Sequence, residues 1–260
     1  MSLYKLGLIN FESKKYSLSR KNFQMLLDEY PLSEHTGSAL YWIGESYSEE
    51  GRLTDAINFL EEAVTKKQNN KNIDYSIFTL ASTYEKTGDY LNAVKYYDQL
   101  LSFHKSSPLA ENAQIRIGVC YFKLEDYQSA ILELQSPSLA NLPDDLYTEC
   151  IYLLAHSHYR VGEYEASAEK FQELITLHSE SDLVREAEYG LAWSYFQQKR
   201  YTDAFNIFNS LSEGGDDIAV RSFYWKAESK RYAGHDKEAS SLFKEFTSKY
   251  PENALVSGAE

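Results

Sequence analysis

The chain has 260 residues, 43% of them hydrophobic and 25% charged, with a formal net charge of −13. This is the composition of a packed chain rather than a disordered one, and its acidic balance argues against nucleic acid as a partner, because phosphate neutralisation needs clustered Lys and Arg. No apolar run approaches the roughly 18 residues needed to enter and span a bilayer, and the two cysteines, Cys120 and Cys150, allow one bridge at most.

Read in chain order, one pattern returns. Small residues stand 37 apart at Gly7, Gly44, Ala81, Gly118, Ala155 and Ala192, and Ala227 follows at 35. Residues 1–32 read as a helix around Gly7, a turn, and a second helix from Tyr16 through Ser19 and Phe23, closed before Pro31. Residues 33–69 repeat this around Gly44, with a turn at Gly51 and a second helix carrying Leu53, Ala56 and Leu60. In 70–106 the series is Ala81, Gly88, Tyr90, Ala93 and Tyr97, with Pro108 marking the joint. In 107–143 it is Gly118, Tyr127, Ala130 and Leu134; Pro137 is expected to cut the second helix short, and the irregular stretch "SPSLANLPDD", 136–145, to change the winding locally. Residues 144–180 carry Ala155, Gly162, Tyr164, Ser167 and Phe171, and 181–215 carry Ala192, Tyr201, Ala204 and Phe208. Residues 216–251 carry Ala227, Gly234, Ala239 and Phe243. The last stretch, 252–260, aligns "NALVSGAE" with "SDLVREAE" of 181–188 and reads as the truncated start of a further helix, so the chain is expected to be a fragment of a longer array.

Counting from each small residue, position +9 is Tyr or Leu in the first six units, +12 is small and +16 is large and apolar. Each unit therefore predicts two helices joined by a short turn, the first of about 14 to 17 residues centred on the small position. A glycine inside a helix costs about 0.5–1 kcal/mol relative to alanine. Gly44 is tolerated, on this reading, because two small residues twelve apart let the helices of one hairpin approach closely.

The small residue followed by an aromatic on the first helix (Gly44 with Tyr47, Ala81 with Tyr84, Gly118 with Tyr121, Ala192 with Tyr195), and the alanine and aromatic of the second, resemble the tetratricopeptide repeat (TPR). His158 and Lys230 depart from it at the aromatic position. The resemblance implies an all-α fold: a TPR-type α-solenoid, wound as a right-handed superhelix of about seven helix-turn-helix repeats, in a single array over 1–260. It implies a non-enzymatic protein–protein interaction scaffold whose partner is another protein, bound as a peptide or helix in a concave groove. The 37-residue period and joints such as "EYPLSE" and "KYPENA" resemble bacterial cell-envelope members of the family, which points to envelope assembly. The alternative reading is a substrate-recruiting arm of a larger glycan-processing or glycosyl-transfer enzyme. The compartment, cytoplasm or periplasm, and the oligomeric state are left open.

A helix advances 100° per residue, so positions −3, +1 and +4 fall on one face beside the buried arc. In the family that face lines the groove. Here position −3 carries Tyr41, Phe78, Tyr152, Tyr189 and Tyr224, +4 carries Tyr159 and Phe196, +1 carries Trp193, and Trp42 and Trp225 flank it at −2. These aromatics either pack between neighbouring first helices or line a trough for the partner. Position +5 carries Lys86, Lys123 and Arg160, with Arg116 beside them; either the helix ends favour cations, or the cations meet acidic side chains or a terminal carboxylate. The Lys at −3 and Asn at +1 with which chaperone-binding relatives clamp a carboxylate are absent, which disfavours that use. No phosphate loop, nucleophile elbow or HExxH motif occurs, and His156 and His158 fall on different helix faces, so no cofactor, metal or catalytic residue is expected.

Overall fold

The computed structural model describes residues 2–66, 70–136, 139 and 142–255. Among the described residues there are fourteen helices and no strand, and the helices follow one another as hairpins. They are α1 (Leu3–Glu12) with α2 (Tyr16–Glu29), α3 (Thr36–Glu49) with α4 (Leu53–Thr65), α5 (Ile73–Lys86) with α6 (Tyr90–Phe103), and α7 (Ala110–Lys123) with α8 (Tyr127–Leu134). Then come α9 (Asp144–Arg160) with α10 (Tyr164–Leu177), α11 (Val184–Gln197) with α12 (Tyr201–Leu211), and α13 (Asp217–Tyr232) with α14 (Asp236–Lys249). The +9 residue opens α2, α4, α6, α8, α10 and α12.

Each turn is built alike. The residue at +7 has positive φ, which glycine adopts without steric penalty: Gly51, Gly88, Gly162 and Gly234 lie at 73°, 82°, 85° and 82°. The same position in the remaining hairpins is taken by Lys14, Glu125 and Lys199, at 56°, 61° and 61°. In every hairpin the backbone N–H at +8 donates to the carbonyl at +3, from Lys15 to Asn10 at 2.8 Å through His235 to Lys230 at 3.0 Å. This is the bond that closes a helix on a left-handed residue. Three of the seven turns thus hold a non-glycine residue in a conformation that costs it roughly 1–2 kcal/mol.

The glycine at Gly44 has a sharper explanation than close helix approach alone. A Cβ there would stand 2.6 Å from Leu60 Cγ and 3.3 Å from the Ala56 carbonyl oxygen. At Gly7 the obstacle is Phe23 Cζ at 2.5 Å, and at Gly118 it is Leu134 at 2.6 Å. The large +16 side chain of each second helix lies across the small position of the first, and Phe23, Leu60, Tyr97, Phe171 and Phe208 are all fully buried there. Ser19 at +12 donates to the Gly7 carbonyl at 2.9 Å, so the backbones also approach closely.

The chain divides into two compact units, Met1–Leu139 and Ala140–Glu260. In the first, one core forms around Phe23, Leu26, Ala39 and Ile43, and a longer one runs from Leu40 to Cys120. In the second, the cores gather around Ile151–Leu191, around Ala192, Ala204 and Phe208, and around Phe223–Phe246. Cys120 and Cys150 are both buried as thiols, and burial raises both to about 11. The division falls in the irregular stretch after α8. Pro137, expected to shorten that helix, lies outside the described residues, as do 256–260 of the expected further helix. His158 and Lys230 fill the aromatic position differently: His158 is buried with Nδ1 2.6 Å from a Glu163 carboxylate oxygen, and Lys230 reaches Glu238 at 2.7 Å across the ring of Phe205.

Candidate functional site

In the first unit the aromatic and basic series are largely engaged with the protein itself. Tyr41 is 5% exposed, and burial raises its phenol well above the usual range. Trp42 packs on Phe11 at 4.8 Å and Tyr41 at 4.9 Å between ring centroids, and its indole N–H donates to the Tyr4 hydroxyl at 3.3 Å. Phe78 is half-buried, edge-on to Tyr97 at 5.3 Å. Arg116 does not join a free cationic stripe: its guanidinium bridges α7 to Glu85 on α5, with Nε 3.0 Å from Oε2, and Glu85 also accepts from the Tyr97 hydroxyl at 3.1 Å. Lys86 and Lys123 are exposed at the last residues of α5 and α7.

The second unit differs. Trp193 of α11 and Trp225 of α13 meet edge to face at 4.2 Å, and both are half-buried. Phe196 extends the cluster, 5.7 Å from Trp193 and 5.5 Å from Trp225. Tyr189 lies 6.4 Å from Trp193 and 5.7 Å from Phe208 below it. Tyr224 is 9% exposed, tucked beside Trp225 at 5.4 Å, so like Tyr41 it supports the face more than it offers surface to a partner. Among the described residues, the indole N–H groups of Trp193 and Trp225 have no acceptor.

Two further rings belong to this face. Tyr232 lies 5.2 Å from Phe196 and 5.6 Å from Tyr201, and Tyr201 lies 5.3 Å from Phe196. The signal for Tyr201 was in the register. The +9 tyrosine packs edge-on against the +4 aromatic across the turn in four hairpins, at Phe11–Tyr16, Phe122–Tyr127, Tyr159–Tyr164 and Phe196–Tyr201, all between 5.3 and 5.5 Å. Tyr232 shares position +5 with the basic series and breaks its chemistry, so the series concealed it.

Beside the cluster a pocket of about 340 Å³ opens among α9, α10, α11 and α13, lined by His156, Tyr159, Arg160, Phe171, Tyr189, Gly190, Trp193 and Arg221. Tyr152 stands behind it, 4.5 Å from His156. Gly190 shapes the pocket, since a Cβ there would lie 2.4 Å from Phe171 Cζ. Arg160 and Arg221 are exposed, and Arg221 pairs with Asp217 one turn back on α13. Of the residues singled out from sequence, Tyr159, Arg160, Tyr189 and Trp193 converge here, Tyr152 adjoins them, and Phe196, Tyr224 and Trp225 form the adjoining face. Tyr41, Trp42, Phe78, Lys86, Arg116 and Lys123 belong to the other unit. Among the described residues no three His, Cys, Asp or Glu side chains come together as metal ligands would, and no helix is long and apolar enough to cross a membrane.

Models of the tetratricopeptide repeat match residues 1–33, 37–70, 78–145, 152–217 and 221–253. The chain is a tetratricopeptide-repeat protein. Its fold is the all-α, TPR-type solenoid, and TPR proteins serve in general as scaffolds that bind other proteins or peptides. No curated protein matches the sequence. Among solved structures it is similar to the C-terminal part of a TPR repeat-containing protein from Cytophaga hutchinsonii, with a TM-score of 0.73 and 14% identity over 98% of each chain. A tetratricopeptide repeat protein from Parabacteroides merdae gives a TM-score of 0.60 and 17% identity, over 99% of this chain and 95% of that one. YrrB, described as a TPR protein with an unusual peptide-binding site, gives 0.61 and 17%, over 77% of this chain and 96% of its own. At these identities the likeness is one of fold.

Proposed function

We propose that this TPR protein is a non-catalytic scaffold that docks a peptide or helix of another protein on the aromatic face of α11 and α13, with Trp193, Phe196 and Trp225 as its anchors. The observation that carries this reading is the Trp193–Trp225 contact at 4.2 Å, with both rings half-buried and neither indole N–H bonded within the described protein. Packing alone does not call for two tryptophans whose donors are left over. A partner that covers them gains rigid aromatic area and two directional hydrogen bonds, and truncating such anchors costs about 2 kcal/mol or more of binding. The peptide-binding site named for YrrB is in keeping with this class of ligand. A role in bacterial envelope assembly is proposed from the 37-residue period and the Tyr-Pro joints.

The test is a pull-down in which the wild type and a Trp193→Ala/Trp225→Ala variant are compared, with circular dichroism to establish that both are folded. The expected result is a protein retained by the wild type and by Lys86→Ala but lost by the double variant. Equal retention by the double variant would overturn the assignment of the face.

A further inference from the structure

The composition of the pocket beside that face narrows the partner's chemistry, and its use rests on the docking role proposed for α11 and α13. Its floor is apolar: the edge of Phe171 under Gly190, flanked by Tyr189 and Trp193. Its rim carries two guanidinium groups from different helices, Arg160 at the last residue of α9 and Arg221 near the start of α13. In a chain of net charge −13 this rim brings two cationic side chains beside an apolar floor. His156, the remaining polar side chain of the lining, adds no charge at neutral pH. Burial, reinforced by Arg160, lowers its pKa to about 4, and its buried Nε2 has no hydrogen-bond partner among the described residues. A depression of the first unit, about 870 Å³ among α6, α7 and α8, has a different character: Asp98, Glu111 and Glu133 line it with four serines and a single lysine.

We infer that the pocket among α9, α10, α11 and α13 recognises an acidic segment of the partner protein, seating one of its aromatic or aliphatic side chains over Phe171 and Trp193 while flanking carboxylates meet Arg160 and Arg221. The apolar side chain supplies burial, and the guanidinium groups select charge and hasten encounter. Arg221 exchanges its exposed pairing with Asp217, which holds little free energy in water, for a carboxylate at a partly desolvated rim.

Three capped pentapeptides serve as probes: Asp-Phe-Asp-Phe-Asp, its Asn-Phe counterpart and its Lys-Phe counterpart. Each is titrated into the ¹⁵N-labelled full chain, with Trp193 assigned by substitution. The Asp peptide is expected to shift the Trp193 indole signal and to bind at least about tenfold more tightly than the Asn peptide, a preference that fades as NaCl is raised. Arg160→Glu and Arg221→Glu should each weaken it about tenfold. The double reversal should prefer the Lys peptide, a gain that an unfolded variant does not produce. Equal affinity for the Asp and Asn peptides, or a double reversal that still prefers Asp, overturns the charge recognition while the pull-down judges the aromatic face separately. Failure of all three peptides to move the Trp193 signal overturns the pocket assignment. Dimerisation of the wild type that Arg160→Glu abolishes would assign the pocket to a second copy and likewise overturn the proposal.

Discussion

Trp42 and Trp225 occupy the same position of the repeat, two residues before the small one, and each packs on the +4 phenylalanine of the preceding hairpin, Phe11 at 4.8 Å and Phe196 at 5.5 Å. Their surroundings then diverge. In the first unit the −3 tyrosine of the preceding hairpin, Tyr4, accepts the indole N–H of Trp42, and the +1 residue of that hairpin is Leu8. In the second unit the +1 residue is Trp193, which packs against Trp225 at 4.2 Å, and the equivalent tyrosine, Tyr189, packs on Trp193; both tyrosines lie 5.7 Å from the +16 phenylalanine of their own hairpin. One substitution in the register, Leu to Trp, separates a closed structural contact from an aromatic face with donors to spare. On the proposed function, a solenoid acquires a docking surface in this way without altering the packing that stacks its hairpins.

That claim predicts that the cores of the two units respond alike to damage. Ala93→Trp and Ala204→Trp, at the fully buried +12 position of each unit, should each cost more than about 3 kcal/mol in urea titration, since neither crossing has room for an indole. A neutral result at either site would remove the assigned contact. At the aromatic positions −2 and +1 the units should part. Trp42→Ala should destabilise by about 3 kcal/mol, whereas Trp193→Leu, which restores the residue found at Leu8, should cost under about 1 kcal/mol of stability. It should nevertheless lose the partner by about 2 kcal/mol.

Much of this architecture was legible in the sequence because a repeated hairpin imposes repeated constraints. The +7, +9, +12 and +16 positions are set by a turn, a helix start and a crossing that recur in each unit, so several copies expose a requirement that one would hide. The left-handed turn was legible where glycine marked it, at Gly51 and Gly88, and illegible at Lys14, Glu125 and Lys199, where tertiary closure of the hairpin overrides local preference. The proposed docking face was legible in part. Its tryptophans stood out by type, but periodicity reports which face a residue shares, not which neighbour satisfies its polar atom. Hence Arg116 read as part of a basic stripe although Glu85 holds it, and for Tyr41 and Tyr224 the register left packing and groove lining both open, where the structure buries them. Gly190 and Arg221 fit no series and emerge only when four helices meet around one pocket.

The second unit should also be acid-sensitive around His156. His156 is neutral when folded, its pKa being lowered to about 4 from 6.5. Its contribution to stability is therefore complete above about pH 6.5 and is lost as the pH falls through 4, because the unfolded chain binds the proton first. Between pH 7 and pH 5 the wild type should lose on the order of 1–2 kcal/mol through this group, and His156→Gln should flatten that slope in urea titrations at the two pH values. A slope unchanged by the substitution would place the acid sensitivity elsewhere. The smallest effects belong to the turns, where both units should again agree. Lys14→Gly in the first unit and Lys199→Gly in the second should each raise stability by about 0.5–1 kcal/mol by relieving positive φ, and Gly88→Ala should lower it by about 1 kcal/mol. Thermal unfolding of the three variants reads the sign directly.

The chain holds three tryptophans, Trp42, Trp193 and Trp225, so a ¹⁵N spectrum of the folded protein carries three indole N–H signals, one from the closed contact and two from the proposed docking face. On adding the partner recovered by the wild type, the Trp193 and Trp225 signals should shift or broaden while that of Trp42 stays in place. Movement of the Trp42 signal with the other two unchanged would contradict the account.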